Sequence, residues 1–200
     1  MDGTGPKRVL NVGGNNKETA LPPEYRGWTQ ILLDIDARGQ PDIVCDAREM
    51  LRLPACEFDA VYCSHNLEHY YRHDASKVLR GFLHVLKGDG FAHIRVPDLQ
   101  QLMQFVVQNN IDIDDPIYRS AAGPITAHDV IYGYNVEIER SGNDFYAHKA
   151  GFTPKSLPAL LTRCGFPYVF SRAANLEIVA TAFRNPPTEF ARNLLGLPAG

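Results

Sequence analysis

Arg8-Val9-Leu10-Asn11-Val12-Gly13-Gly14-Asn15-Asn16, followed by Ile31-Leu32-Leu33-Asp34-Ile35-Asp36, is the pair of segments that decides the fold of this chain. Each is a short apolar run. The first empties into two glycines and the second ends in carboxylates. Glycine lacks a Cβ, so a backbone can approach a ligand closely there. A carboxylate at the tip of the neighbouring parallel strand can accept both hydroxyls of a ribose. Asp34 stands 20 positions after Gly14, close to the separation expected of a ribose-binding acid, and Asp36 is a nearby substitute. The pair therefore points to a nucleoside-bearing ligand at the carboxyl edge of an α/β sheet.

Further apolar runs extend the pattern outward: 42–46, 58–63 and 91–96. Short continuous runs of this kind suit strands covered on both faces. Between them lie stripes of helical period: Val78, Leu79, Phe82, Leu83 and Leu86, with Gly88 as the expected stop; Leu99, Leu102, Met103 and Val106, with Asp98 as the expected N-cap; and Leu157, Leu160, Leu161 and Cys164, opened by Thr153 or Ser156 and closed by Gly165. Tyr168-Val169-Phe170 and the run 176–183, with a break at 173–175, predict a terminal hairpin. Alternating strands and helices imply a mostly parallel seven-stranded sheet with right-handed crossovers, helices on both faces and an antiparallel C-terminal edge hairpin. One crossover is irregular: Pro22-Pro23 precludes a long helix between the first two strands.

Two hundred residues suit one domain spanning 1–200 and can bury roughly 70% of the unfolded surface. Residues 109–152 interrupt the rhythm with turn signals at Asn109-Asn110, Asp114-Asp115-Pro116 and Gly123-Pro124. So long an irregular stretch is expected to be a lid or substrate-binding insertion. The tail after Pro186-Pro187 is expected to be a loose terminus or a partner contact. The formal charge of −3 disfavours a general nucleic-acid binder, which carries a basic patch. No run of 18 apolar residues predicts a membrane span, and 1–7 lacks an apolar signal region. The four cysteines form no Cys-x-x-Cys pair, which predicts reduced thiols and a cytoplasmic protein. Oligomeric state has no sequence signature here.

Gly13-Gly14 does not complete Gly-x-Gly-x-x-Gly, and the helix whose N-terminus would hold a pyrophosphate is cut short by the prolines. NAD and FAD are disfavoured, and a nucleoside cofactor without phosphate fits better. At the end of the third run, Asp46 can accept the exocyclic amine of adenine while the Ala47 amide donates to the ring. His65, His69 and His73 recur every four residues beside Glu68, but Ser64-His65 reads as loop and His-Glu-x-x-His is absent, so no metal site is expected.

Val9 to Asn15, the Leu33-Asp34-Ile35 strand end, Cys45-Asp46-Ala47 with Leu53-Pro54, and 58–69 (FDAVYCSHNLEH) together resemble the class I S-adenosylmethionine-dependent methyltransferases, in the group of the methyltransferase type 11 domain. Leu86-Lys87-Gly88-Asp89-Gly90-Phe91 resembles the turn before that family's fifth strand. The resemblance covers about 8–98. It implies a Rossmann-like fold and S-adenosylmethionine as cofactor. Gly13, Gly14 and Asn15 would then face its methionine part, Asp34 its ribose, Asp46 and Ala47 its adenine, and Ser64 and His65 its sulfonium side. The family's turn is usually Gly-x-Gly, from which Gly13-Gly14-Asn15 departs.

Methyl transfer asks an enzyme to align a nucleophile in line with the methyl group and exclude water. A hydroxyl acceptor must also lose its proton to a histidine or carboxylate. The candidates are His65, His128, Asp129 and His148, with His65 and His148 the expected catalytic pair and His148 the expected acceptor-site residue. The expected acceptor is a small molecule or glycan. The alternative reading is a methyltransferase-like binding protein without catalysis.

Overall fold

The computed structural model describes residues 5–120 and 123–198; Met1–Thr4, part of the stretch read as lacking a signal region, lie outside the described residues. Nine strands and six α-helices follow in chain order. They are β1 (Arg8–Val12), β2 (Thr29–Asp34), β3 (Ile43–Val44), β4 (Phe58–Ser64), α1 (Arg72–Val85), β5 (Leu86–Pro97), α2 (Leu99–Gln108), β6 (Pro116–Ser120), β7 (Gly123–Thr126), α3 (Ala127–Tyr132), α4 (Asn135–Ser141), α5 (Ser156–Arg163), β8 (Tyr168–Ala174), β9 (Glu177–Phe183) and α6 (Glu189–Leu195). Seven strands form one sheet in the order β3-β2-β1-β4-β5-β9-β8. The first five run parallel, and β9 pairs antiparallel with both β5 and β8. The expected α/β architecture, with its antiparallel terminal hairpin, is what the chain adopts.

The apolar stripes close one face of this sheet. Val78, Leu79, Phe82 and Val85 of α1 and Leu157 and Leu161 of α5 pack against Leu10, Leu33, Val61 and Ile94. On the other face a smaller cluster joins Val9, Tyr25, Tyr62, Phe91 and Phe183. No α-helix links β1 to β2; a single 3-10 turn, Pro23–Tyr25, takes its place, as the double proline requires. Asp98 caps α2 by accepting from the amides of Gln100 (3.0 Å) and Gln101 (3.2 Å). Thr153 and Ser156 exchange side-chain to amide hydrogen bonds where α5 opens.

Several elements depart from expectation. Gly88 does not stop α1: Leu86 ends that helix in an extended conformation and starts β5 at once. β5 then runs beside a register shift in β4 between Phe58 and Ala60, where a Cβ on Gly90 would stand 2.9 Å from the Asp59 carbonyl oxygen. β3 shrinks to two residues, because Asp46 leaves the strand to cap a 3-10 helix, Ala47–Arg52. Ser64 is the last residue of β4 rather than loop, and Glu68-His69 sit in a separate 3-10 turn, Leu67–His69, before α1. The terminal hairpin turns at Asn175-Leu176, both left-handed (φ 55° and 63°). Residues 109–152 carry the β6–β7 hairpin and two short helices, and Thr126 and Asp129 form a reciprocal capping box on α3. The tail is not loose along 189–195: α6 buries Ala191 against the second cluster.

Candidate active site

The parallel strands β1, β2 and β4 end side by side, and their tips build the first half of the site. Gly13 leaves β1 with φ +72° and its amide donates to the Leu33 carbonyl at 2.9 Å. Asn15, also left-handed at φ +61°, donates its amide to Asp34 Oδ2 at 3.0 Å. The other oxygen of Asp34 takes the Asp36 amide at 2.9 Å. A buried carboxylate held by two amides keeps a fixed orientation and a spare lone pair on each oxygen. The Asn66 side chain crosses above Gly13, 2.1 Å from where a Cβ would stand, so only glycine permits that approach.

These residues open onto a cavity of about 310 Å³, at the lower end of the size that holds a small ligand. Gly13, Asn15, Asp34, Asp46 and His65 line it, as expected. Gly14, Ala47 and Ser64 do not reach it. Gly14 instead packs on the Asn11 side chain, Ala47 is buried at 1% exposure, and Ser64 remains in strand register opposite Arg95. Asp46 is committed to Arg48, whose Nε lies 3.0 and 2.9 Å from its two oxygens. Burial acts to raise the Asp46 carboxyl, but Arg48 outweighs burial and holds it below the ordinary carboxylate range. Asn66, Tyr70 and, from the insertion, Phe145, Tyr146 and Lys149 also line it; of these the sequence points to Tyr146, one of two insertion tyrosines, with Tyr132, expected to shape the pocket.

A second, larger cavity of about 1210 Å³ lies over β5 and β9, walled in part by His93, Arg95, Tyr118, His148 and Glu177. Among the described residues, His65 is the one that lines both cavities. It sits in a left-handed conformation (φ +48°), a strained backbone of the kind that clusters at functional sites. Its Nε2 is 2.8 Å from Glu177 Oε1, and its Nδ1 is 3.5 Å from Glu68 Oε1, an ion-pair separation. Arg95 forks onto Glu177 from the other side. Burial acts against a charge on His65, but the two carboxylates outweigh it and raise the ring to about 9. The ring is thus a cation at neutral pH.

His148 is the opposite case. Its Nδ1 lies 2.9 Å from the Val130 carbonyl oxygen, so that nitrogen carries the hydrogen and Nε2 keeps its lone pair. Burial pushes its pKa down, which leaves it neutral. Of the remaining candidates, Asp129 lines the larger cavity but is committed to the start of α3. Asp129 accepts from the Thr126 amide and hydroxyl and from the Asn135 amide. His128 packs against Tyr132 with the rings tilted by 47° and lines neither cavity.

Residues 29–94 match a family model described as methyltransferase domain. The match begins at β2, beyond the atypical glycine turn. Solved structures share the fold over most of the chain. A methyltransferase described as S-adenosylmethionine-dependent, from Archaeoglobus fulgidus, is 17% identical with a TM-score of 0.55, covering 89% of this chain and 86% of that one. The Burkholderia thailandensis 1,6-didemethyltoxoflavin-N1-methyltransferase, solved with S-adenosylhomocysteine, is 20% identical with a TM-score of 0.53, covering 88% and 70%. One from Methanosarcina mazei is 15% identical with a TM-score of 0.54, covering 89% and 92%. A sequence comparison with curated proteins finds no match. The chain has the Rossmann-like methyltransferase fold, and its resemblance to the class I methyltransferases of the type 11 group is borne out. The domain match agrees with the expected enzyme class over residues 29–94. Among the described residues no helix is long and apolar enough to cross a membrane.

Proposed function

We propose that this chain is an S-adenosylmethionine-dependent methyltransferase acting on a small-molecule or glycan-type acceptor. The observation that carries this reading is the meeting of two cavities at His65, the smaller one built from the Gly13–Asn15 turn and Asp34. The donor set fits the cofactor. Asp34 offers two fixed oxygens for a ribose, Gly13 and Asn15 offer close backbone, and Asp46 stands at the far end. When bound, S-adenosylmethionine supplies an activated methyl group.

The chain's own residues then divide the work. Asp34 orients the ribose. His65, held as a cation by Glu68 and Glu177, fixes the boundary between the cavities and is not the base. His148 is the acceptor-side residue and activates the acceptor through its Nε2 lone pair. Tyr118, Ile125 and Tyr134 of the insertion wall the acceptor cavity, and methyl transfer requires that water be kept from it. All four cysteines are free, which suits a reducing compartment and a cytoplasmic protein.

The second reading, a methyltransferase-like binding protein without catalysis, draws on one observation: Arg48 occupies the Asp46 carboxylate expected to meet adenine. Calorimetric titration with S-adenosylmethionine, S-adenosylhomocysteine and NAD separates the readings. Micromolar binding of the first two and none of NAD supports the enzyme. Binding of none removes the cofactor site and leaves the second reading.

A further inference from the structure

Glu68 is 1% exposed, and both its carboxylate oxygens are buried without a hydrogen-bond partner among the described residues. An ionised carboxylate in that state is unfavourable unless a positive partner meets it. His65 Nδ1 stands 3.5 Å from Glu68 Oε1, an ion-pair separation, while its Nε2 bonds Glu177, so one positive charge is shared between two carboxylates. Two further imidazoles converge on Glu68. One ligand atom each from Glu68, His69 and His148 all lie within 4.8 Å of one another, and the rings of His69 and His148 are 4.9 Å apart at centroids.

The backbone holds this group together. The Glu68 carbonyl accepts the amides of Lys149 (2.8 Å) and Ala150 (3.0 Å), so the insertion returns to the β4 exit at this point. His148 donates Nδ1–H to the Val130 carbonyl, the orienting contact that metal-bound histidines make through their outer nitrogen. That leaves Nε2 as a lone pair. His69 has a carbonyl oxygen 3.1 Å from each ring nitrogen, Ala147 at Nδ1 and His65 at Nε2. In the neutral ring only one of them receives a hydrogen, and the other faces a lone pair. One ligand atom from each of the three residues thus gathers at one spot beside His65, and His69 would exchange one carbonyl contact for an ion there.

We propose that Glu68, His69 and His148 bind one divalent transition-metal ion of the zinc, cobalt or manganese kind. Two imidazoles and one carboxylate select such ions over calcium or magnesium and leave coordination positions open. A tetrahedral ion about 2.1 Å from each ligand sets ligand atoms about 3.4 Å apart, so the set closes through side-chain shifts of the order of 1 Å. His148 lines the larger cavity and His69 the smaller, which places the ion between them. On the methyltransferase reading, an acceptor oxygen would take an open position on the ion, which would then activate it in place of the free Nε2 lone pair of His148. The role in activation rests on the methyltransferase reading; the binding of the ion does not.

The test is a titration of the chelator-treated full chain with Co²⁺, followed by calorimetry and by the visible ligand-field absorption of the bound ion. We expect one ion per chain. Glu68→Gln and His148→Gln should each weaken binding at least about tenfold, while His73→Ala, outside the cluster, leaves it unchanged. Absence of stoichiometric Co²⁺ binding overturns the proposal, as does wild-type affinity in both ligand variants. If Glu68→Gln does not fold, His148→Gln alone decides. S-adenosylmethionine is titrated in parallel: its binding without Co²⁺ binding sinks the metal site and spares the methyltransferase reading.

Discussion

The Asn15 amide donates to Asp34 Oδ2 at 3.0 Å, so the glycine turn after β1 and the acid at the tip of β2 form one unit. Removing the carboxylate frees the turn and, on the proposed reading, deletes the ribose acceptor together. Asp34→Ala should weaken S-adenosylmethionine binding at least about tenfold, the loss of one charge-assisted hydrogen-bond pair. Asp34→Asn should fall between, since an amide oxygen still accepts from Asn15 while its NH₂ opposes the Asp36 amide. Unchanged calorimetric affinity in a folded Asp34→Ala chain removes the cofactor from this cavity.

Gly13→Ala combines two penalties. The left-handed φ of +72° costs a non-glycine residue roughly 1–2 kcal/mol, and the new Cβ meets Asn66 Nδ2 at 2.1 Å. We expect a lower melting temperature and weaker cofactor binding. Adding Asn66→Ala should relieve the collision and leave the backbone penalty, so the double variant recovers part of the loss. A wild-type melt for Gly13→Ala alone shows that the turn does not need glycine.

His93 sets an acid limb on stability. It is buried on β5 with Nδ1 3.1 Å from the Tyr25 hydroxyl, and burial pushes its pKa down to about 4. The unfolded ring titrates near 6.5. The unfolded chain therefore binds this proton first, and stability is present above about pH 6.5 and lost as pH falls toward 4. The magnitude is on the order of 3 kcal/mol across that window. Thermal melts between pH 7 and 4 should show the loss, and His93→Gln should flatten it. Parallel acid limbs in the two proteins assign the effect to other groups.

Thr126→Ala removes one side of the capping box that starts α3. The cost should be about 1 kcal/mol. Because Val130 of that helix orients His148, hydrogen exchange should rise at 127–132 and acceptor turnover should fall more than cofactor affinity. Equal losses in both place α3 outside the acceptor side.

What the sequence made legible follows from how local each signal is. Parallel strands buried on both faces read as unbroken apolar runs, so β1, β2, β4 and the core of β5 were apparent, as was the Asp98 cap. Asp34 was legible from its separation from Gly14. Gly88 misled because glycine marks both helix ends and strand irregularities, and here β5 begins without a loop. α6 was hidden behind Pro186-Pro187. Glu177 meets His65 across 112 residues, a contact made by sheet order and not by any motif. Glu68-His69 and His148 were visible as separate residues. Their convergence depends on the insertion returning to the Glu68 carbonyl.

His65 also bears on the order of events. Two chambers that meet at one side chain, each with its own walls, can be filled independently. Neither donor nor acceptor must depart before the other arrives. On the proposed reading, turnover then passes through a complex holding both ligands at once, and initial-rate plots at several donor concentrations should intersect rather than run parallel.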